Sequence, residues 1–292
     1  DTLSLHDALP ICHQPFANEN FTRTHHVHFA VAHAAAVVDH QAIQRGTLQR
    51  FDFACFLFPM RVEQLFAQQV RADLRGEFHL GDGFFDDLVT RWGYSDYTHS
   101  ELEGDEVGTT FQVEGVEGRV ELIQHEQVIG SGTLRGSVGG QFFTRDFVAI
   151  GEEAFVPPNS TRSAALFTLQ ELRFGPFEAE LGARWEHTGQ VADTLPARRT
   201  FSTVSGALGL SWSFDSGVRT GVNLSRAERA PATEELFADG PHVATSQYER
   251  GSVDLATEAA WGAEAYVRAS IRGADVRLAV YQNWFEIGRA HV

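Results

Sequence analysis

The sequence predicts an all-β fold, a partial antiparallel β-barrel of the transmembrane kind, on three observations. Apolar and polar side chains alternate with a period of two from about Val70 onward; short and long connections take turns along the chain; and aromatic residues gather near the ends of the predicted strands. With 292 residues, 43% of them hydrophobic, the chain has enough apolar material for one large β-domain, which excludes disorder of the whole chain.

The clearest strand is Pro176 to His187, where Phe177, Ala179, Leu181, Ala183 and Trp185 fall on one face and Glu178, Glu180, Gly182, Arg184 and Glu186 on the other. A pleated strand between lipid and water requires that division, whereas a helix would scatter both sets. Val204 to Phe214 repeats it with Val204, Leu208, Leu210, Trp212 and Phe214 on one face, and Val218, Thr220, Val222 and Leu224 follow through the tight turn Asp215-Ser216-Gly217. Gln69–His79, Leu88–Tyr97, Gly118–His125, Gly132–Arg145, Arg162–Phe174, Ala259–Ala269 and Ala274–Asn283 complete a set of roughly ten strands. Phe174-Gly175-Pro176 and Ile271-Arg272-Gly273 are short turns, while Thr98–Gly108, Phe147–Asn159, Thr188–Arg199 and Ala227–Leu255 are predicted long loops, the asymmetry of outer-membrane barrels. Trp92, Tyr94, Trp185, Trp212, Phe214, Trp261, Tyr281 and Trp284 stand where aromatic girdles are expected. A soluble β-sandwich or solenoid is the alternative, with shorter strands of about 5–6 residues and less lopsided loops.

The formal net charge of -16 argues against a nucleic-acid partner, because phosphate binding needs clustered Lys and Arg. No apolar run approaches the roughly 18 residues of a membrane helix; the longest are Ala30–Val38 and Phe53–Met60, so membrane residence would be as a barrel in contact with outer-membrane lipid. Cys12 and Cys55 make no disulfide framework and no C-x-x-C spacing. Residues 1–11 (DTLSLHDALPI) and 286–292 (Glu286 followed by IGRAHV) look like translated sequencing adapters and are set aside from the fold. Residues 12–63 are rich in Ala, Val, His and Gln without a clean period; His25, His26, His28, His33 and His40 suggest a metal-binding external loop, the alternative being a wrong-frame or chimeric stretch.

Residues 64–285 carry a resemblance to a known family. Asn223 to Glu258, NLSRAERAPATEELFADGPHVATSQYERGSVDLATE, resembles the pattern S-R-x-x-R-A-P, E-E-L-[YF], G-P-H-x-A-T, [YF]-E-x-G and L-x-x-E of TonB-dependent outer-membrane receptors, specifically the subgroup associated with zinc uptake. The family-motif positions are Arg226, Arg229, Pro231, Glu234, Glu235, Leu236, Gly240, Pro241, His242, Glu249 and Gly251. Asp73-Leu74-Arg75-Gly76-Glu77, Tyr94 to Thr110, Gly118 to Leu122, Arg145 to Pro158 and Tyr281 to Phe285 are further matches in the same order. The resemblance implies a bacterial outer-membrane location, a plugged barrel of about 22 strands, and coupling to the inner-membrane TonB complex. Neither plug, nor TonB box, nor closing strands match within the chain, which by itself is not expected to transport.

No nucleophile elbow, phosphate loop, H-E-x-x-H or paired-carboxylate signature stands in a supporting context, so an enzyme is not expected. Arg226 and Arg229 are expected to pair with carboxylates on the lumen face or at the strand-to-loop junction, the alternative being contact with substrate. The candidate metal ligands are His242, which follows Gly240-Pro241 in a long loop; Glu152 and Glu153, which match the G-E-E-A-F-x-P-P stretch; and His99, near Asp96, Glu101 and Glu103. The expected function is uptake of a metal ion, zinc first, or of a small metal complex. Zinc would be cargo, and no cofactor is required. A siderophore, haem or cobalamin receptor of the same fold and a non-transporting adhesion or structural barrel are the alternatives.

Overall fold

The computed structural model describes residues 32–37, 48–62, 65–103, 106–151, 154–193, 197–242, 247–271 and 273–287. The adapter-like stretch 1–11, the histidines 25, 26, 28 and 40, and all but the first two residues of 286–292 lie outside them. Fifteen strands and one short helix follow in order: β1 (Ala32–Val37), β2 (Leu48–Val62), β3 (Leu65–His79), β4 (Phe85–Glu103), β5 (Glu106–Gln124), β6 (Gln127–Ile129), β7 (Gly132–Gly151), β8 (Asn159–Phe174), β9 (Phe177–Ala192), β10 (Ala197–Ser213), β11 (Val218–Arg229), α1 (Thr233–Phe237), β12 (Asp239–His242), β13 (Gln247–Arg250), β14 (Glu258–Ile271) and β15 (Ala274–Glu286). All but β12 and β13 belong to one antiparallel meander in which each long strand pairs with the next and β6 sits against β7; among the described strands β1 and β15 are the outermost. Each of the ten predicted strands corresponds to one observed strand, and the sheet also runs upstream of Gln64, because β2 pairs with β3 over Leu48–Val62.

Pairing register fixes which side chains share a face, since directly opposed residues of an antiparallel pair point the same way. Leu166, Trp185 and Val204 lie opposite one another on β8, β9 and β10, as do Leu181, Leu208, Leu224 and Ala263 on β9, β10, β11 and β14. The register continues to Val276, Leu278 and Val280 on β15. Phe177, Leu181, Trp185, Leu208, Leu210, Val276, Leu278 and Val280 therefore all occupy one outer face. They do not converge between two packed sheets, so the sandwich alternative fails. Leu181 is 49% exposed and Leu278 65%, as expected of side chains whose natural solvent is hydrocarbon.

All five tryptophans stand on this outer face. Trp92, Trp185, Trp261 and Trp284 mark one border of the apolar band, and Trp212, with Phe174 and Phe177, marks the other. From Trp261 to Ile271 on β14 the chain rises about 33 Å, or about 25 Å along the membrane normal for strands tilted by roughly 40°. Gly118 lies between Trp92 and Phe142 in the cross-strand row, and a Cβ there would come within 2.3 Å of the Phe142 ring and 2.8 Å of Trp92. Only glycine lets the two aromatics, with centroids 5.6 Å apart, close over the strand.

Two expectations are corrected. Tyr281 belongs to the inner face, opposite Glu264, and is no girdle residue. Thr98–Gly108, Phe147–Asn159 and Thr188–Arg199 are not long loops: β4 runs to Glu103 and β5 starts at Glu106, β7 reaches Gly151, and β9 and β10 extend to Ala192 and from Ala197. Beyond the membrane the outer face no longer needs apolar side chains, so the alternation stops while backbone pairing continues. The predicted turns hold. Gly175, Gly217 and Gly273 have φ of 52°, 79° and 82°, a region where glycine alone is unstrained.

The inner face is polar. Arg119 bonds Glu121 at 2.9 Å, Gln141 bonds Glu117 at 2.7 Å, Arg173 bonds Glu178 at 3.0 Å, and Arg184 pairs with Glu186 and reaches Gln141. These charged side chains are mostly half-buried, while apolar residues of the outer face are open, which is the crowding expected on the concave side of a curved sheet.

Candidate functional site

Successive hairpins put the connections alternately at the two ends of the sheet. The connections β4–β5, β7–β8, β9–β10 and β11–β14 share one rim; β3–β4, β5–β7, β8–β9, β10–β11 and β14–β15 share the other. Residues 230–257, between β11 and β14, are by far the longest connection between described strands, and their described part packs against the inner face.

The motif residues build that segment. Arg229, at the end of β11, pairs with Glu235 at 2.9 Å and with Glu258 of β14 at 2.5 Å. Hydrogen bonding to Glu235 raises the Arg229 pKa further, so it stays a fixed cation at this rim. Glu235 also accepts from the Ala232 backbone N–H at 2.8 Å, satisfying a donor at the start of α1. Glu234 reaches across to Arg145 of β7 at 2.9 Å, and the Pro231 carbonyl accepts from Gln190 of β9. Leu236 and Phe237, each 2% exposed, pack with Ala192 and Phe201. Gly251 donates to the Ala238 carbonyl, and a Cβ there would meet the Leu236 carbonyl carbon at 2.7 Å, so the returning chain passes directly against the helix. Arg226 lies on the outer face over Trp261 and pairs with Glu228 at 2.8 Å; Glu228 also accepts from the Val204 N–H and the Thr257 hydroxyl. Both arginines thus pair with carboxylates at the strand-to-loop junction.

After α1 the hairpin β12–β13 pairs Gly240 with Glu249, Pro241 with Tyr248 and His242 with Gln247. Its first residue, Asp239, donates its backbone N–H to Phe155 O of the β7–β8 connection at 2.8 Å, and Gly240 lies so close to Phe155 that a Cβ would come within 2.8 Å of it. Phe155 of the β7–β8 connection and Asp239 at the start of the hairpin are therefore bound to each other through their backbones. Glu152 and Glu153 themselves lie outside the described residues.

His99 stands on the inner face of β4, seven residues past Trp92 and outside the apolar band. Its ring stacks on Phe111 at 4.7 Å, and Phe111 packs with Phe147, Val156 and Ala238, which lie at the base of the two segments just described. Desolvation pushes the His99 pKa down, against the pull of Glu101 at 3.8 Å. Its Nδ1 has no hydrogen-bond partner among the described residues. Of the neighbouring acids, Glu101 shares its face and Asp96 points to the opposite one. A neutral, half-buried imidazole facing the inner side is chemically able to ligate a metal.

Sequence reasoning did not foresee α1 or the docking of 230–257. It also missed a group on the opposite rim, His79, Asp86 and Asp87, whose potential ligand atoms lie within 4.8 Å of one another. The signal was the hairpin HLGDGFFDD, which sets a histidine and two aspartates at the two ends of a glycine-containing turn.

A wall of long strands that is apolar with aromatic borders outside, charged inside, and loop-bearing at one rim defines a segment of an outer-membrane barrel. The chain belongs to the TonB-dependent receptor family: residues 31–286 match the family model described as TonB dependent receptor-like, beta-barrel. Similar solved structures include the hemophore receptor HasR of Serratia marcescens, a double mutant in complex with its hemophore HasA and heme, at 12% identity and TM-score 0.64, covering 80% of this chain and 42% of that one. The copper transporter OprC matches at 12% identity and TM-score 0.59, covering 80% and 41%, and the unliganded ferric citrate transporter FecA at 13% and 0.53, covering 80% and 40%. The chain spans about two-fifths of the length of these receptors. Its place is the bacterial outer membrane, and its family is one of transporters, not enzymes.

Proposed function

We propose that the chain is part of an outer-membrane transporter that takes up a metal ion, zinc in the first instance, or a small metal complex, with energy delivered by the TonB complex. What supports the proposal is the bond between Asp239 and Phe155, which joins the start of the hairpin that leads to His242 to the β7–β8 connection, the stretch in which Glu152 and Glu153 occur in sequence, while His99 faces inward near the same rim. Zinc accepts imidazole nitrogen and carboxylate oxygen, and a site that must release its cargo is better built from an incomplete, open ligand set than from a closed cage. The named cargoes of the structural relatives, heme, copper and ferric citrate, support metal or metal-complex uptake in general. They equally suit a siderophore or haem receptor, a reading favoured by the many arginines of the inner face.

The test is growth and radioactive zinc uptake under zinc limitation with the intact receptor. A variant combining His242→Ala, Glu152→Gln and Glu153→Gln is expected to lose most uptake while remaining folded. Equal uptake by variant and parent, or rescue by haem or a ferric siderophore but not by zinc, sinks the zinc assignment.

A further inference from the structure

On the opposite rim, β3 ends at His79 and β4 begins beside Asp86 and Asp87. His79 Nδ1 lies 3.2 Å from Asp86 Oδ1 and 3.2 Å from Asp87 Oδ1, and His125, just past β5, places its Nδ1 3.5 Å from Asp86 Oδ2. His79 and Asp87 are direct cross-strand partners, so the sheet itself sets their separation. The Leu80 N–H closes the β3–β4 turn on the Asp86 carbonyl, and the His125 N–H ties the turn after β5 to the Phe84 carbonyl.

We propose that His79, Asp86 and Asp87, with His125 as a fourth donor or as the group that orients Asp86, form a binding site for a divalent transition-metal ion such as zinc. Four ligand atoms about 2.0–2.1 Å from a tetrahedral zinc stand roughly 3.3–3.4 Å apart, which is the spacing found between His79 Nδ1 and both carboxylates. A plain hydrogen-bonded cluster accounts for this less well. The imidazole Nδ1 is hydrogen-bonded to Asp87 Oδ1, and Asp86 Oδ1 stands at the same 3.2 Å distance outside that bond. Among the described residues the ion-pair partners of Asp86 and Asp87 are these histidines and no Arg or Lys. With the imidazoles neutral, as ligation demands, a divalent cation cancels the paired negative charge. The ligand set is accessible, with side chains 21–44% exposed, and leaves room for water in the coordination sphere, so the ion exchanges rather than being locked in a structural cage. It lies at the far end of the wall from the loop rim, and it is independent of which cargo the loops admit.

The experiment uses the intact receptor in detergent, with cobalt(II) as the spectroscopic probe and zinc chloride in calorimetric titrations. The loop variant carrying His242→Ala, Glu152→Gln and Glu153→Gln should keep one metal equivalent with the visible absorption of nitrogen- and oxygen-ligated cobalt. His79→Gln, or Asp86→Asn with Asp87→Asn, added to it should remove that equivalent. His79→Gln is the milder variant because it leaves both aspartates of the turn in place, and heat-modifiable gel mobility checks that each barrel is folded. Unchanged metal stoichiometry in either folded variant overturns the site, whatever the fate of zinc uptake through the loops.

Discussion

The two faces of the sheet are made by the same backbone ladder and obey opposite rules. On the outer face, side chains of neighbouring strands form apolar rows such as Leu166, Trp185 and Val204, with tryptophans at the borders and, among the described residues, no ion pair in the rows between them. On the inner face, one residue away along each strand, Arg184 is tied to Glu186 and Gln141, and Arg219 to Glu178. Among the described residues, large apolar side chains are buried on the inner face near the loop rim, where α1 inserts Leu236 and Phe237. Two solvents explain the difference. Lipid rewards any apolar side chain and asks nothing of its packing, whereas an aqueous interior holds a loop in place only through specific contacts.

The largest effect should come from breaking the inner contact. Leu236→Ala removes a fully buried side chain and leaves a gap against Ala192 and Phe201, at a cost of about 2–5 kcal/mol for the docked segment. In the folded receptor, trypsin should then cut after Arg250 much faster, while the strands stay protected. If cleavage is unchanged, residues 230–257 are held by the ion pairs of Arg229 and Glu234 and the apolar contact is incidental.

Adjacent substitutions on β9 sharpen the contrast of faces. Leu181 is midway between Trp185 and Phe177, and Leu181→Arg puts a charge near the centre of the apolar band, costing about 2–4 kcal/mol of folded stability in a bilayer. Glu180→Gln, one residue earlier on the inner face, should change stability far less. Unfolding by urea in lipid vesicles measures both, and a reversed order would mean that the faces have been exchanged.

The outer face was legible in the sequence because membrane thickness imposes strict alternation over each strand, so Phe177 to Trp185 and Val204 to Trp212 announced themselves. The strand extensions past the membrane were not legible, since Thr98 to Glu103 keep their backbone partners but lose the apolar half of the pattern. The candidate site was legible only in part. The stretch from Arg229 to Gly251 was recognisable as a motif, yet its content proved architectural: Arg229, Glu234, Glu235, Leu236 and Gly251 hold a loop in place. Nothing local in the sequence says that Glu234 will meet Arg145, 89 residues away, or that Phe155 will bond Asp239. The same distance rule hid His125 from His79, although both flank short turns of one rim.

The smallest expected effect concerns His99, on a part of the inner face where Glu101 is the nearby charge. Burial against Phe111 and Tyr97 disfavours its protonated form and lowers its pKa below the ordinary value, with Glu101 only partly offsetting this. A folded-state pKa below the unfolded one means that the unfolded chain binds the proton more readily. The stabilising contribution of the stack is therefore complete above about pH 6.5 and is lost as the pH falls through the folded-state value. His99→Phe keeps an aromatic ring on Phe111 and cannot be protonated. Between pH 7.5 and pH 5 the parent receptor should lose on the order of 1 °C more in melting temperature than this variant, a small difference because one group on one rim is involved. Equal losses would show that His99 is already charged at neutral pH through Glu101, and an imidazolium held in that way could not serve as a metal ligand above the inner face.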